Sequence, residues 1–283
     1  MSFTGEGVAA GVPDDQRRET QRDLRRDLGL ALWQIRYEQR AYWRNRQRGI
    51  FTFIFPLMFL VIFGSIYSGQ SIPLGHHRTM SYETFFVPGI LAYGVITTTY
   101  VNMAIGTALL RDDGVLKRMQ GTPLPRWVYV LARIGSTVVT VLIMTVLTVG
   151  FGVVAYGVQV RGTTLPAVAV FLLLGTAAFT TLGIGITRFI KNGEAAPVIA
   201  NLTLLPLTFI SGIYFHGNLS QGLLTIADIF PVRPLADGLQ HAFNPITGGS
   251  GFVGSDLLRL AIWTVVGCWL MLLMLRKPEG DRR

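Results

Sequence analysis

Cysteine and charge are both scarce in this sequence. Cys268 is the only cysteine, and Asp, Glu, Lys and Arg make up 14% of the 283 residues. One cysteine excludes a disulfide framework and a metal site with paired-cysteine spacing. Because Cys268 lies in an apolar stretch, we expect it to be a small packing residue.

Recognisable catalytic chemistry is also missing. The four histidines, His76, His77, His216 and His241, have no metal-ligand spacing with Cys or Glu. The sequence has no Gly-x-x-x-x-Gly-Lys-Ser/Thr loop, so we expect no nucleotide site of that kind. We therefore predict no catalytic residue, no metal and no cofactor in this chain.

Acidic residues are absent from the middle of the apolar stretches. All sixteen lie at the ends of those stretches, in loops or at the termini. Proton- and ion-coupled transporters usually need a titrating group inside the membrane. If this protein moves a substrate, its energy is expected to come from outside the chain.

Apolar residues are abundant and clustered. They make up 50% of the chain, and the mean hydropathy is +0.45. About 20 apolar residues cross a bilayer, which gives six blocks: 50–67, 85–110, 128–156, 165–187, 195–215 and 257–275. The predicted fold class is all-α, a polytopic membrane protein with six transmembrane helices.

Basic residues indicate the orientation of these helices. With the N-terminus inside, 21 Lys and Arg fall on the cytoplasmic side and 4 on the other. The positive-inside rule then places both termini in the cytoplasm of a cell (inner or plasma) membrane protein. The net charge of +9 is thus interpreted as a topology signal, and no nucleic-acid partner is expected.

The N-terminal region divides into two predicted segments. Residues 1–16 are expected to be a disordered cytoplasmic leader and 17–48 an amphipathic helix at the membrane interface. Its predicted apolar stripe comprises Leu24, Leu28, Ala31, Leu32, Ile35 and Tyr42. Two roles remain open for this helix, anchoring to anionic lipid or forming a wall of a docking cleft. The transmembrane domain is predicted over 49–275, with a cytoplasmic tail over 276–283.

The outer connection between the last two spans contains two short apolar pieces, 219–230 and 235–243. Both are too short to cross a membrane, and a turn containing Pro231 and Pro234 separates them. They either re-enter the bundle as an outer gate or cap its surface.

Two features of the spans suggest a substrate pathway. Phe51, Phe55, Phe59 and Phe63 form a ridge with four-residue spacing, suited to a lipophilic, ring-bearing substrate or to helix and lipid packing. Thr98 and Asn102 in the second span, and Asn201 in the fifth, are polar near mid-depth. They need either a neighbouring helix or a hydrated cavity.

The loop between the second and third spans is short, charged and rigid in composition. Residues 111–120 are predicted to form about three helical turns, with Asp112 and Asp113 favourable at the start. Gly121 suits the end of that helix, and Pro123 and Pro125 prevent its continuation. We interpret the segment as a stiff peg that a soluble partner can push, against the alternative of a solvated loop.

These features together resemble the permease subunits of type-2 ATP-binding-cassette (ABC) exporters, of the daunorubicin-resistance kind. The Leu-Lys-Arg…Gly-Thr-Pro-Leu-Pro loop, residues 209–215 and Pro231-x-x-Pro234 carry the resemblance, which covers about 33–275. His216-Gly217 and Ser220-Gln221 depart from it, since many members have prolines there.

The resemblance implies a permease that pairs with a second copy through its first and fifth spans, above a separate dimeric ABC ATPase. The partner would bind ATP and Mg, and membrane lipids would surround the permease. The implied coupling residues are Trp33, Arg36, Arg40, Asp112, Asp113, Gly114, Leu116, Lys117, Arg118, Gly121, Pro123 and Pro125.

The implied function is export of a lipophilic, drug-like or lipid-linked substrate. Alternatives are a polysaccharide or glycolipid exporter, a passive channel, and a lipid-modifying membrane enzyme. The nearest catalytic candidates for such an enzyme, Asp228, Asp237, His241 and Asp256, have no recognisable spacing.

Overall fold

A computed structural model of the protein describes residues 14–44, 46–73, 79–115, 126–214, 220–244 and 249–276. Helices dominate these residues, as predicted. They are α1 (Asp14–Arg44), α2 (Arg46–Ile66), α3 (Tyr82–Ile96), α4 (Asn102–Asp112), α5 (Arg126–Tyr156), α6 (Leu165–Ile186), α7 (Ala196–Ile210), α8 (Gln221–Ile229), α9 (Val232–Phe243) and α10 (Gly254–Arg276). A small antiparallel sheet, β1 (Ser71–Pro73) with β2 (Thr79–Ser81), was not expected.

Six helical stretches are long and apolar enough to cross a membrane, which confirms the predicted number. They are span 1 (Gly49–Ile66), span 2 (Tyr82–Asp112), span 3 (Leu131–Tyr156), span 4 (Gly162–Phe189), span 5 (Gly193–Ile210) and span 6 (Gly254–Met274). Spans 1, 3 and 5 run from what we call the Arg111 end of the bundle to the Tyr156 end, and the other three run back.

Local sequence explains several helix ends. The Ser81 hydroxyl accepts a hydrogen bond from the Thr84 N–H and caps span 2. Pro166 and Pro197 occupy the first turns of α6 and α7, where a missing N–H costs nothing. Gly157, with a φ of +65°, follows the last residue of span 3 and ends it.

Spans 2 and 4 form the centre of the bundle. In their most apolar stretches, 78% and 67% of residues are buried, against 28% or less in each of the other four spans. Span 6 packs mainly along span 4. At Gly183 on span 4, an added Cβ would lie 2.5 Å from the Tyr100 carbonyl oxygen. Gly183 is therefore a site of close helix packing.

Span 2 changes its helical geometry near mid-length. A π-helical turn, Thr97–Val101, separates α3 from α4. Its neighbour across the interface is Gly183, whose missing side chain leaves room for the Tyr100 backbone. π turns of this kind are rare and frequently occur at functional sites.

A helical hairpin follows span 5. Its first helix is α8 and its second is α9, which packs on spans 2, 4 and 6. Leu235 and Leu239 of α9 are fully buried. The Leu235 side chain packs against Gly175 of span 4, with a methyl group 2.7 Å from where a Cβ of that glycine would lie. The two predicted short pieces are therefore helices, and the second inserts into the bundle. The observed turn between α8 and α9 is shorter than the predicted one, because α9 begins at Val232 and already includes Pro234. The first turn of a helix tolerates proline.

Candidate coupling surface and substrate pathway

The N-terminal helix α1 packs on span 3 through a polar seam. The Gln39 amide donates hydrogen bonds to the Ser136 carbonyl (2.6 Å), the Ser136 hydroxyl (3.0 Å) and the Thr140 hydroxyl (3.1 Å). Glu38 forms an ion pair of 3.4 Å with Arg133. Burial raises the pKa of Glu38, and Arg133 only partly offsets that cost.

This packing corrects the predicted apolar stripe of α1. Ala31 is buried as expected, but Leu32 is 68% exposed. The buried face uses Glu38 and Gln39, whose polar groups are satisfied by span 3 and are therefore not driven to water. The helix also ends at Arg44, and the residues predicted to finish it, 46–48, begin α2 instead.

The opposite face of α1 is exposed, aromatic and basic. Trp33 is 65% exposed and Tyr37 is 58% exposed, and their rings stack at 5.9 Å. Arg36, Arg40 and Arg44 are also exposed. Spacings of three, four, seven and eleven residues from Trp33 place all five on one side of the helix. We call these five residues the exposed α1 face; three of them, Trp33, Arg36 and Arg40, are predicted coupling residues.

The predicted peg begins differently from expectation. The helix containing Arg111 ends at Asp112, and Gly114 adopts a φ of +67°. A single helix over 111–120 is therefore wrong, because the left-handed Gly114 ends the preceding helix there. Asp112 and Asp113 lie at a helix C-terminus rather than at a start. Leu116, Lys117, Arg118, Gly121, Pro123 and Pro125 lie outside the described residues.

Arg111 and Asp112 bind the turn between spans 4 and 5, a contact that the sequence analysis missed. The Arg111 guanidinium donates to the carbonyls of Thr187 (2.9 Å), Ile190 (2.8 Å) and Lys191 (3.3 Å). The Asp112 carboxylate accepts a hydrogen bond from the Gly193 N–H and pairs with Arg111. Only the Gly following Lys191-Asn192 hinted at a close approach in the sequence.

The phenylalanine ridge of span 1 divides into two parts. Phe51 is 67% exposed and Phe55 is 40% exposed. Phe59 and Phe63 instead pack inward. The ring centroid of Phe59 lies 5.9 Å from the ring centroids of both Tyr93 and Tyr214. The ridge is therefore a bundle-packing element toward the Tyr156 end and an open apolar surface toward the Arg111 end.

Around Phe59 and Phe63 lies a cluster of aromatic rings from spans 1 and 2 and the end of span 5. Tyr67 stacks on Tyr82 at 4.3 Å, and Phe63 lies 5.2 Å from Phe86. The Tyr82 hydroxyl donates to the Tyr214 carbonyl at 2.7 Å. These rings close the bundle toward the Tyr156 end.

The predicted polar pathway residues do not share one environment. Thr98 is 2% exposed within the π-helical turn. Asn102 is half-buried, and its amide lies 3.4 Å from the Thr52 hydroxyl of span 1. Asn201 is exposed and donates to the Pro197 carbonyl of its own helix at 2.8 Å. Span 5 instead reaches span 2 through the hydrogen bond between Thr203 and the Tyr100 hydroxyl, at 2.9 Å.

The predicted outer gate is joined to span 6 by ion pairs. Arg233 lies between Pro231 and Pro234. Its Nε atom is 3.4 Å from Asp228 Oδ1 and 3.1 Å from Asp237 Oδ2. Arg259 of span 6 lies 3.2 Å from Asp228 and 3.8 Å from Asp256. Burial is the main cause that raises the pKa of Asp237 to about 6.

Those ion pairs also bear on the alternative of a lipid-modifying enzyme. Asp228, Asp237 and Asp256, three of its four catalytic candidates, are paired with Arg233 or Arg259. Carboxylates held between arginines on three helices are typical of a structural network. These ion pairs link α8, α9 and α10.

Six spans, an inserted helical hairpin and a basic helix packed beside them define a helical multi-pass membrane protein of the permease class. A model of the ABC-2 type transporter family matches residues 31–244, and the chain belongs to that family. It is a membrane permease of an ABC transporter, and membership implies partnership with an ABC ATPase.

Curated relatives agree with this assignment. The inner membrane transport permease YadH of Escherichia coli strain K12 is 25% identical over 189 residues, which cover 67% of each chain. Proteins of the same name from Escherichia coli O157:H7 and Shigella flexneri match with the same identity and coverage. The similarity supports a transport subunit rather than an enzyme.

Proposed function

We propose that this chain is the permease of an ATP-driven exporter. It moves a lipophilic, drug-like or lipid-linked substrate out of the cytoplasm across the inner membrane. A separate dimeric ABC ATPase, which binds ATP and Mg, supplies the energy. Both termini of the permease lie in the cytoplasm, so the Arg111 end of the bundle faces the ATPase.

The exposed α1 face is the observation that carries this proposal. Its opposite face is fixed to span 3 by Gln39 and Glu38, so a force on α1 is transmitted to the membrane bundle. Stacked Trp33 and Tyr37 beside exposed arginines offer the residue types that dominate protein–protein contacts. The simpler role, adsorption to anionic lipid, uses the same charges but does not require Trp33 to stack on Tyr37.

The loop after Gly114 is the second proposed contact with the ATPase. Gly114 and the end of span 2 lie at the end of the bundle where α1 meets span 3. Leu116, Lys117, Arg118, Gly121, Pro123 and Pro125 follow directly, in the segment between spans 2 and 3. We propose that this loop and the exposed α1 face bind one ATPase subunit together.

The substrate class follows from the surface of span 1. Phe51 and Phe55 present an open apolar surface at the Arg111 end, and Asn102 with Thr52 places polar groups beside it. Such a surface suits a lipophilic substrate with a few polar groups. A polysaccharide or glycolipid would require more polar side chains along the same route, which makes it the second candidate.

A second copy of the chain is proposed to complete the pathway. Span 1 exposes Phe51 (67%) and Ile66 (61%), and span 5 exposes Val198 (67%), Leu202 (70%) and Phe209 (54%). Facing these two spans across a two-fold axis would enclose Phe51, Phe55 and Asn201 between the copies. A homodimer is proposed, with a heterodimer of related permeases as the alternative.

The test is reconstitution of the permease in liposomes with its partner ABC ATPase. For the wild-type permease we expect Mg-ATP-dependent movement of a lipophilic cationic dye. Its binding of the ATPase is the reference for the variants. Replacing Trp33 and Tyr37 together by Ala is expected to weaken ATPase binding roughly tenfold or more, as at interface hot spots. Replacing Leu116 and Lys117 by Ala is expected to leave membrane insertion intact but uncouple ATP hydrolysis from export.

Leu32→Ala is the matched control, because Leu32 is also exposed on α1 but outside the exposed α1 face. It should bind the ATPase normally. Dye movement without the ATPase would contradict the proposal and favour a passive channel. Equal binding by wild type and the Trp33, Tyr37 double variant would show that α1 serves the lipid surface instead.

A further inference from the structure

Two neighbouring residues at the end of span 2 cap two other helices. Arg111 donates to carbonyls at the C-terminal end of span 4, and Asp112 accepts from the first N–H group of span 5, that of Gly193. Helix ends leave such carbonyls and N–H groups without partners inside the helix. Positive charge suits the first of these ends and negative charge suits the second.

Apolar packing holds the same three elements together. Ala108 of span 2, Ile190 of the turn and Ala196 of span 5 form a small buried cluster of their own. Gly193 lies so close that an added Cβ would be 2.9 Å from the Leu109 side chain and 3.2 Å from the Asp112 carboxylate. The Arg111 side chain is only 12% exposed, so its hydrogen bonds are largely shielded from water.

We propose that Arg111 and Asp112 are positioning residues for energy coupling. They make the Arg111 end of span 2 and the turn between spans 4 and 5 move as one rigid unit. A displacement of the loop after Gly114 then reaches spans 4 and 5 as well as span 2. The inference rests on the proposed function, in which the ATPase acts on that loop.

The geometry of the contact requires arginine. Three carbonyl oxygens and one carboxylate surround a single planar guanidinium, and its several N–H groups can reach all four. A lysine ammonium keeps the charge but concentrates its donors on one nitrogen, so it cannot span the same set. Charge alone is therefore not expected to preserve the unit.

The first experiment compares Arg111→Ala, Arg111→Lys and Lys191→Gln in liposomes with the ABC ATPase. The readout is dye moved per ATP hydrolysed, with permease amount and ATPase affinity measured alongside. We expect a fall of roughly tenfold for Arg111→Ala, with unchanged ATPase affinity, and an intermediate value for Arg111→Lys. Lys191→Gln removes one positive charge from the same turn but keeps its carbonyl, so it should match wild type.

A merely structural role for Arg111 would lower the permease amount but leave dye per ATP unchanged. That result, or a wild-type ratio in Arg111→Ala, would overturn the inference. If the Arg111→Ala protein does not accumulate in the membrane, a cross-linking experiment that leaves Arg111 in place tests the inference instead.

The second experiment joins the two elements covalently. In a Cys268→Ala background, Asp112→Cys and Gly193→Cys place two sulfurs where the carboxylate now meets the backbone N–H. The new Cβ at position 193 meets the end of the Leu109 side chain, which can rotate away. We expect a disulfide to form on mild oxidation and dye per ATP to remain within about twofold of wild type, because a rigid unit need not open. The two single-cysteine variants, oxidised in the same way, are the controls.

Loss of export on forming this disulfide would show that the contact opens during transport, and would overturn the inference. Failure of the disulfide to form would overturn the geometry on which it rests. If wild type itself shows no ATP-dependent dye movement, the proposed function fails instead. The two failures are therefore distinguishable.

Discussion

Single glycines determine how closely the central spans approach. At Gly183 the backbone of Tyr100 occupies the space that a Cβ would fill, with Met103 Cβ also at 3.1 Å from that position. Both neighbours are close to the main chain and cannot rotate away. Close backbone contact of this kind is a main source of helix association in membranes, where lipid removes the hydrophobic driving force.

Gly183→Ala is therefore expected to destabilise the protein by about 1–3 kcal/mol, because the added methyl must push spans 2 and 4 apart. The measurement is the thermal unfolding midpoint of the purified protein in detergent. Gly150→Ala is the matched control: Gly150 lies in span 3 with open space around its Cβ position. Equal midpoints for the two variants would contradict the packing account.

A second single-residue effect concerns Asp237 in α9, the second helix of the hairpin. Burial raises its pKa to about 6, and Arg233 lowers it less than burial raises it. Asp228 and Asp256 also raise the pKa, and Arg259 and His241 lie in the same network. A raised carboxyl pKa means that the folded protein holds a proton that the unfolded chain has already released.

The contribution of Asp237 to stability is therefore full below about pH 4 and is lost as pH rises through about 6. Because asparagine does not titrate, the stability of Asp237→Asn should fall less than that of wild type as pH rises across that interval. The measurement is the thermal unfolding midpoint of each protein from pH 4 to 7. Solvent screens the effect, because the side chain is 40% exposed. Parallel pH profiles for the two proteins would contradict the assignment.

Among the elements, the six spans were predictable because a bilayer demands long apolar helices and hydropathy reports them directly. The packing of α1 was not predictable in the same way. Its buried face contains Glu38 and Gln39, which a pattern of apolar residues assigns to solvent. Only the partners on span 3, almost 100 residues away, make that face compatible with burial.

Gln39→Ala is expected to loosen α1 from span 3, since the Ser136 carbonyl and two hydroxyls lose a shared donor at a cost of about 1–3 kcal/mol. Amide hydrogen exchange over residues 29–44 should accelerate. Arg40→Ala changes the next residue, on the exposed α1 face, and should leave exchange unchanged. If both variants exchange like wild type, the seam does not hold the helix.

At the scale of the whole molecule, spans 1, 3, 5 and 6 surround the central pair, spans 2 and 4. All four of these spans expose large apolar side chains, so hydropathy alone does not distinguish a lipid-facing surface from the surface of the proposed dimer. The sequence likewise predicted a coupling loop between spans 2 and 3, but it did not reveal that Arg111 and Asp112 bind the turn between spans 4 and 5. Both omissions concern contacts between elements distant in the chain.

The proposed dimer is tested with single cysteines in a Cys268→Ala background. Leu202→Cys on span 5 and Val265→Cys on span 6 are matched, because both residues are 70% exposed. We expect oxidation in membranes to cross-link two copies through position 202 and not through 265. Cross-linking at 265 alone would place span 6 at the dimer interface instead.

The π-helical turn Thr97–Val101 has a consequence for the phase of span 2. Such a turn holds one more residue than an α-helical turn, and each residue of an α-helix advances the side chains by about 100°. The halves α3 and α4 are thus offset by about that angle, so that α3 packs on the hairpin helix α9 and α4 packs on the turn after span 4. Deleting one threonine there would swing Arg111 away from its three carbonyls while leaving every residue near it unchanged.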